Sequence, residues 1–381
     1  MTEAYIVDAV RTPMGKRGGG LSAMHPVDLS ARVMQSLVER TGVDPARVDD
    51  VIWGCVGQIG AQAWNIARNA WLSAGFPEEV PGVTIDRQCG SSQQAVHFAA
   101  QGVMAGVYDL VVAGGVEVMS LVTLNSSGEV GPDLGFRYPF DGEMWNERYG
   151  DQEIHQFRGG ELIAEKWDIS RGEMEELALA SHSNAARAWA EGRFDNEVVP
   201  IGECARDEGI RETTLEKMAS LNTIREGGRL TAAVSSQITD GSSALMIASE
   251  RAVEELGLIP RARIHHMTVV GSDAVYILTG PIPATRRAFE RTGLGPDDID
   301  LYECNEAFAS VVLAWIQEIG VPRERVNVNG GAMALGHPLG ASGARLMTTL
   351  VNELERTGGR YGLQTMCEGG GLSNVTILER V

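Results

Sequence analysis

The chain has 381 residues, with 51 acidic and 32 basic side chains, a formal charge of -19 and a pI near 4.8. A protein that grips a phosphate backbone needs a clustered basic footprint, which this composition lacks, so nucleic acid is excluded as an expected partner. With 44% hydrophobic and 22% charged residues the sequence is that of a globular protein of roughly two or three domain-sized units, and its 46 glycines exceed the usual share of about 7% without a fibrous period.

The opening residues, up to Pro13, show no basic stretch followed by an apolar one. No uninterrupted apolar run reaches the roughly 18 residues of a membrane span, so an unexported, soluble chain is expected. Strand patterns at Tyr5 to Val10, Val83 to Asp86 and Leu110 to Ala113 alternate with helical ones at 27–40 and 90–105. From about 117 to 230 the texture turns polar and turn-rich, which reads as an inserted loop domain. Its most regular part is a helix over 171–191, opened by the capping box Ser170-Arg171-Gly172-Glu173. Tyr138, Phe140, Trp145 and Phe157 in this insert are expected to line an apolar tunnel, the alternative being the small core of a loop domain. Beyond it, helices are expected over 306–318 and 341–356, and strands at Val326 to Asn329 and Leu363 to Cys367.

The tetrapeptide Glu-Arg-Thr-Gly occurs at 39–42, 290–293 and 355–358, each time ending an amphipathic stretch. Arginine in the last turn suits the negative end of a helix dipole, and glycine supplies the left-handed residue that closes the helix. After the first two copies an acidic turn leads into a short apolar run, ending at Cys55 in one case and Cys304 in the other. Gly106-Val107-Tyr108 and Gly359-Arg360-Tyr361 then match at nearly the same offset, each before a strand and a glycine doublet. Agreeing offsets predict a duplicated, layered α/β fold. The expected units are 1–116, completed by about 231–255; the insert 117–230; and 256–381.

Five cysteines (Cys55, Cys89, Cys204, Cys304 and Cys367) are odd in number and include no CxxC pair, so neither a disulfide framework nor a metal site is suggested. A reducing cytoplasm fits that usage. Cys89 lies where a strand pattern gives way to a helical one, in Arg87-Gln88-Cys89-Gly90-Ser91. There the N-terminal N–H groups favour a thiolate nucleophile, although a buried structural cysteine is the plainer reading. His337 sits in a loop with five glycines between 330 and 343 and is either a base towards a thiol or a histidine bonding its own turn. Cys367 ends a strand before Glu368-Gly369-Gly370-Gly371, where free N–H groups could meet an oxyanion. Asn305, in Asn305-Glu306-Ala307-Phe308, begins a helix and is a natural N-cap. Among the other histidines, His265 and His266 fall in a strand pattern that puts one inward and one outward; His25, His97 and His182 carry no expected role.

Together these motifs, with Gly330-Gly331-Ala332-Met333-Ala334-Leu335-Gly336-His337-Pro338-Leu339-Gly340-Ala341-Ser342-Gly343, resemble the thiolases, from the first strand to the last residues. The resemblance implies a duplicated α-β-α-β-α fold and CoA-dependent cleavage of a 3-ketoacyl-CoA to acetyl-CoA and a shortened acyl-CoA, or the reverse condensation. It implies Cys89 as the acyl-accepting nucleophile, His337 as its base and Cys367 as the acid/base at the acetyl carbon. Asn305 would hold a water which, with His337, faces the enolate oxygen, and the backbone of Cys89 and Gly369 would face the acyl-enzyme oxygen. Ser236, His155 and Phe308 match positions near CoA. No cofactor is implied beyond coenzyme A as co-substrate, and the assembly implied is a homodimer or homotetramer.

The chain departs from the family pattern after Cys89, in Gly90-Ser91-Ser92-Gln93-Gln94, and at Glu368, a position that is often apolar. These departures bear on chain-length preference and point to lipid or sterol side-chain breakdown more than to a biosynthetic acetoacetyl-CoA enzyme. A ketoacyl synthase is disfavoured by Cys367, because synthases lack a second catalytic cysteine. A non-catalytic acyl-CoA carrier or regulatory subunit would have no need of the four filled positions.

Overall fold

The computed structural model describes residues 2–150 and 152–381. Its strands are β1 (Ala4–Arg11), β2 (Gly15–Lys16), β3 (Asp50–Gly54), β4 (Gly82–Ile85), β5 (Leu110–Val118), β6 (Thr239–Ser249), β7 (Ala262–Gly271), β8 (Leu301–Cys304), β9 (Tyr361–Glu368) and β10 (Leu372–Arg380). Between β2 and β6 lie helices α1 (Pro26–Thr41), α2 (Ile66–Ser73), α3 (Ser91–Met104), α4 (Ser126–Asp133), α5 (Glu143–Tyr149), α6 (Gln156–Lys166), α7 (Arg171–Ala190) and α8 (Leu215–Ala219). The remainder are α9 (Glu250–Leu256), α10 (Pro281–Thr292), α11 (Ala309–Ile319), α12 (Ala332–Leu335) and α13 (Leu339–Thr357).

The strands run in the order β4-β3-β5-β6-β1-β7-β10-β9-β8, with β2 beside β6. At the centre, β1 and β7 pair only through Tyr5 with Arg263 and Ile6 with Ala262. On either side of that seam the pairing senses repeat. The β3–β5 pair is parallel and β5–β6 and β6–β1 antiparallel; β8–β9 is parallel and β9–β10 and β10–β7 antiparallel. The duplication read from the offsets is therefore a duplication of topology. All three Glu-Arg-Thr-Gly copies close helices with a left-handed glycine: Gly42, Gly293 and Gly358 have φ of 67°, 75° and 74°.

Two expectations differ at the second half. Where β4 flanks β3, the matching Val326 makes a single parallel bridge to Tyr302, and the strand expected at Val326 to Asn329 does not form. Asn327 turns away at φ 49°, and its side chain accepts from the Cys304 N–H at 2.9 Å and donates to the Cys304 carbonyl at 2.8 Å, replacing the next rung of a ladder. The helix expected from 306 begins at Ala309; Phe308 occupies the N-cap and Asn305 stays outside.

Helices α3 and α13 are sandwiched between the two half-sheets. Every residue of α13 from Gly340 to Leu354 is buried, and its apolar residues share a core with α3, β1, β5 and β6. Helices α1 and α2 cover the outer face of the first half, while α10 and α11, with α6 and α7, cover that of the second. The layers are α-β-α-β-α. Part of the glycine surplus sits at this central crossing: a Cβ on Gly343 would come within 2.7 Å of Gln93 Cβ, and one on Gly54 within 2.5 Å of the Ser92 nitrogen. Backbone contact of this kind brings the N-termini of α3 and α13 together beside the ends of β5 and β9. Among the described residues no helix is long and apolar enough to cross a membrane.

Candidate active site

Cys89 lies on a tight turn between β4 and α3. Gln88, directly before it, holds a left-handed φ of 50°, a conformation that costs a non-glycine residue about 1–3 kcal/mol and persists only when its surroundings impose it. They do: the Gln88 N–H donates to Asp86 Oδ1 at 2.6 Å, and the Ser91 hydroxyl donates to the Gln88 carbonyl at 2.6 Å. The turn leaves Cys89 as the one partly exposed cysteine of the five, the other four being buried. One sequence expectation needs correction. Although Cys89 does stand at a helix start, its thiol is pushed up to about 12, first by burial and then by the charge that the nearby Glu368 carries once it is ionised. The Gly369 N–H, close to the cysteine, pulls the other way without prevailing.

His337 follows Gly336, whose φ of 100° no side chain tolerates easily and whose Cβ would also collide with Thr239. Its ring is buried. Nδ1 lies 2.6 Å from Ser342 Oγ, and because that hydroxyl already donates to the Pro338 carbonyl at 2.8 Å, the network assigns the ring proton to Nδ1. The lone pair on Nε2 is then free to accept, and it faces Asn305 Nδ2 at 3.3 Å. Burial and the Arg345 charge hold this imidazole near 3, so it is neutral at physiological pH. Asn305 is buried, its Oδ1 has no partner among the described residues, and its N–H donates to the Thr365 carbonyl at 3.0 Å, which ties it to β9.

Cys367 is the penultimate residue of β9 and fully buried; burial raises its thiol well above the usual range, with Cys89 and Cys304 adding to the effect. The structure thus brings the Gly369 N–H close to the Cys89 thiol, places Cys367 within electrostatic reach of Cys89, and pairs Asn305 with His337.

A cavity of about 450 Å³ opens beside His337 and is walled by Phe308, Phe157, Ser236, Leu124 and Ile224, with Lys16, Arg17 and Arg211 also lining it. Ser236 and Phe308 both line this cavity. His155 does not line the cavity; it caps α6, its Nδ1 accepting from the Phe157 N–H at 3.3 Å. Of the four aromatics expected in a tunnel, Phe157 alone lines this cavity, packing edge-on against Phe308 at 5.5 Å. Tyr138, Phe140 and Trp145 stack on one another instead, with centroids 5.5 and 4.7 Å apart, Tyr138 and Phe140 on the surface. The reading of His265 and His266 also changes: a β-bulge opposite Ile377 and Leu378 breaks the alternation, and both rings are half-buried.

Sequence reasoning missed the buried carboxylates that hold these loops. Glu306 accepts from the Ser181 hydroxyl at 2.7 Å, Asn327 Nδ2 at 3.0 Å and the Met333 N–H at 3.1 Å, fixing the loop that ends in His337. Glu117 accepts from the N–H groups of Val56, Gly57 and Gly340 at 2.9–3.0 Å and so anchors the start of α13. The available signal was an acidic residue inside an otherwise apolar stretch at each position.

A thiol beside N–H donors, a neutral imidazole with a free lone pair and a second buried thiol suit cysteine-based acyl transfer. Residues 4–251 match the family model "Thiolase, N-terminal domain" and residues 258–380 "Thiolase, C-terminal domain". The chain belongs to the thiolase family, whose members are acyltransferases. It is similar over its whole length to the steroid 3-ketoacyl-CoA thiolase FadA6 of Mycobacterium tuberculosis, at 61% identity over 95% of that protein. It is 42% identical to the 3-ketoacyl-CoA thiolase of Aliivibrio salmonicida, all of both chains being covered. The crystal structure of the Bacillus anthracis acetyl-CoA acetyltransferase aligns with a TM-score of 0.90 at 39% identity, covering 100% of this chain and 99% of that one.

Proposed function

We propose that this chain is a degradative thiolase that cleaves a 3-ketoacyl-CoA with CoA, giving acetyl-CoA and a shortened acyl-CoA, in lipid or sterol side-chain breakdown. The observation that carries the reading is the full-length 61% identity to a relative named for that activity on steroid-derived substrates. The resting pair is a neutral thiol and a neutral imidazole. Charge therefore appears only as substrate reacts. The Cys89 proton passes to His337 Nε2 as sulfur adds to the 3-keto carbon, and the new oxyanion is met by the N–H groups of Cys89 and Gly369. Breaking the C2–C3 bond sends its electron pair into the enolate of acetyl-CoA, whose thioester oxygen faces His337 and a water held by Asn305. Cys367 then gives its proton to C2. In the second half-reaction Cys367 thiolate takes the proton of incoming CoA, whose sulfur displaces Cys89 from the acyl group as a thiolate, and Cys89 recovers its proton from His337.

The insert from 117 to 230 supplies Leu124, Phe157, Arg211 and Ile224 to the cavity wall, and in this reading it selects the acyl chain while Ser236 and Phe308 contact the CoA arm. Coenzyme A serves as co-substrate with no resident cofactor, in the cytoplasm, and the protein works as a homo-oligomer; β4, half-buried along one edge of the sheet, is the strand open to a second copy. A second reading, a biosynthetic acetoacetyl-CoA enzyme, is favoured by the similarity to the acetyl-CoA acetyltransferase. Steady-state kcat/KM for thiolysis along a ladder from acetoacetyl-CoA to long-chain and sterol-derived 3-ketoacyl-CoA separates the two. The degradative reading expects kcat/KM to rise with chain size; a maximum at acetoacetyl-CoA would overturn it.

A further inference from the structure

Glu368 is a fully buried carboxylic acid that the reaction above does not use. As the last residue of β9 it faces the start of α3, and its place is made by the glycine next to the nucleophile: a Cβ on Gly90 would sit 2.6 Å from Glu368 Cδ. With the Asn374 amide oriented to satisfy both of its ends, Asn374 Nδ2 donates to Glu368 Oε1 at 3.1 Å, and Oδ1 accepts from the Gln94 N–H at 3.3 Å. The second oxygen, Oε2, has no partner among the described residues. An ionised carboxylate with one oxygen unsatisfied in a dry site is costly, whereas the acid form is not.

The neighbouring groups offer little compensation. The charged or titratable groups coupled to it are Arg87 and Cys89 on the turn before α3 and Cys367 on its own strand; one step further out, Asp86 acts on Cys89, and His97 on α3 lies within reach of Arg87 and of His266 on β7. Of these charged groups Arg87 alone favours the carboxylate, its side chain forms no ion pair among the described residues, and the hydrogen bonding from Asn374 that also favours the anion does not offset burial. His97 is held neutral by burial and lies 2.8 Å from Thr376 Oγ1, and Oε1 of Gln364 on β9 and of Gln93 on α3, whose amide also reaches Thr376, are buried without partners among the described residues. These surroundings are polar yet nearly free of charge.

We propose that Glu368 is a positioning residue that stays protonated in the working enzyme, so that a negative charge can form on Cys89 without a second one behind it. The two sites are coupled. While Glu368 keeps its proton, transfer of the Cys89 proton to His337 leaves one anion balanced by one imidazolium; once Glu368 ionises, the same step would place a thiolate and a carboxylate on either side of the Gly90 gap. Its own ionisation comes late, burial having moved the carboxyl up to about 8. The inference rests on Cys89 as the nucleophile but not on the substrate.

The test is the pH dependence of Cys89 alkylation by iodoacetamide, followed by peptide mapping, in the full-length protein and in Glu368→Gln and Glu368→Ile. Glutamine keeps the shape and hydrogen bonding of the neutral acid and isoleucine removes the polar group altogether, so one of the two remains informative if the other misfolds. Each pK unit of relief is worth about tenfold in thiolate, so both variants are expected to alkylate at Cys89 about threefold or more faster than the parent at pH 9, with the rates converging near pH 6.5. A purely structural role would change all pH values alike. Profiles that superimpose, or a variant profile displaced to higher pH, would overturn the proposal. Alkylation reads the thiol directly, so a failure of the thiolysis reading, seen as absence of an acyl-enzyme, would be distinguishable.

Discussion

At the scale of single residues the account assigns separate jobs to two thiols. Cys367→Ala is expected to form acyl-enzyme on Cys89 yet lose exchange of deuterium from solvent into the methyl group of acetyl-CoA, because that proton travels through Cys367 alone. Exchange at the parental rate would remove Cys367 from the mechanism. The cavity wall gives a second residue-level expectation. Phe157→Ala should change the ratio of kcat/KM for long over short 3-ketoacyl chains, since Phe157 touches the cavity and stacks on Phe308 at 5.5 Å. Trp145→Ala should leave that ratio in place, because Trp145 stacks on Phe140 and Tyr149 away from the cavity. These residues also show how far sequence reading reaches: Cys89, His337, Asn305 and Cys367 stand out as motif residues, but aromatics in a turn-rich insert carry no period that says which ones point inward. The Cys89 thiol shift was hidden for a similar reason, because the helix start is local in sequence while the burial that raises the thiol, and after it Glu368 on β9, come from elements as far as 279 residues later in the chain.

At the scale of elements, the crossing of α3 and α13 fixes the site, and glycine is its price in sequence choice. Gly343→Ala would press a methyl group into the backbone and Cβ of Gln93, neither of which can swing aside, and is expected to cost about 2–3 kcal/mol with a matching loss of activity. Gly42→Ala is the comparison: nothing lies within 4 Å of its Cβ, so only its left-handed φ is penalised, at about 1 kcal/mol, with activity retained. Chemical denaturation of both variants checks the difference; equal losses would mean that the close approach is not what Gly343 provides. Helices were legible because caps and left-handed glycines are local signals, as in the three Glu-Arg-Thr-Gly stops. The strands β6, β7 and β10 were less so. Strand β6 is buried along its whole length and begins with Thr239-Asp240-Gly241-Ser242-Ser243, polar residues whose partners come from β1, β2 and β5. At Val326 the sequence carried a strand pattern that Asn327 side-chain bonding overrode.

At the scale of the whole molecule, the interior holds titratable groups whose shifts set how stability follows pH. His97 and His337 are depressed to about 3 and His182 to about 4, so their contribution is complete above the unfolded value near 6.5 and is lost as pH falls below it. Glu303 and Glu368 are raised to about 8 by burial, so their contribution is complete below the unfolded value near 4.5 and is lost as pH rises through 8. Between pH 6.5 and 8 the histidine effect is flat and the carboxyl effect declines. Stability by denaturant titration should therefore fall over that interval, by about 1–2 kcal/mol per carboxyl, and by less in Glu303→Gln and Glu368→Gln than in the parent. A rise over the same interval would contradict the assignment. The duplicated halves, the insert and the central helices all converge on one chemical claim, that Cys89 carries the acyl group between two CoA thioesters. The most direct measurement is to mix the protein with a 3-ketoacyl-CoA in the absence of CoA and follow both products, acetyl-CoA by chromatography and the protein by peptide mass. The account predicts one acetyl-CoA released per active chain and the shortened acyl group on the Cys89 peptide, discharged as acyl-CoA when CoA is added. Acetyl-CoA release without acylation of Cys89, or an acyl group found on another residue, would contradict it.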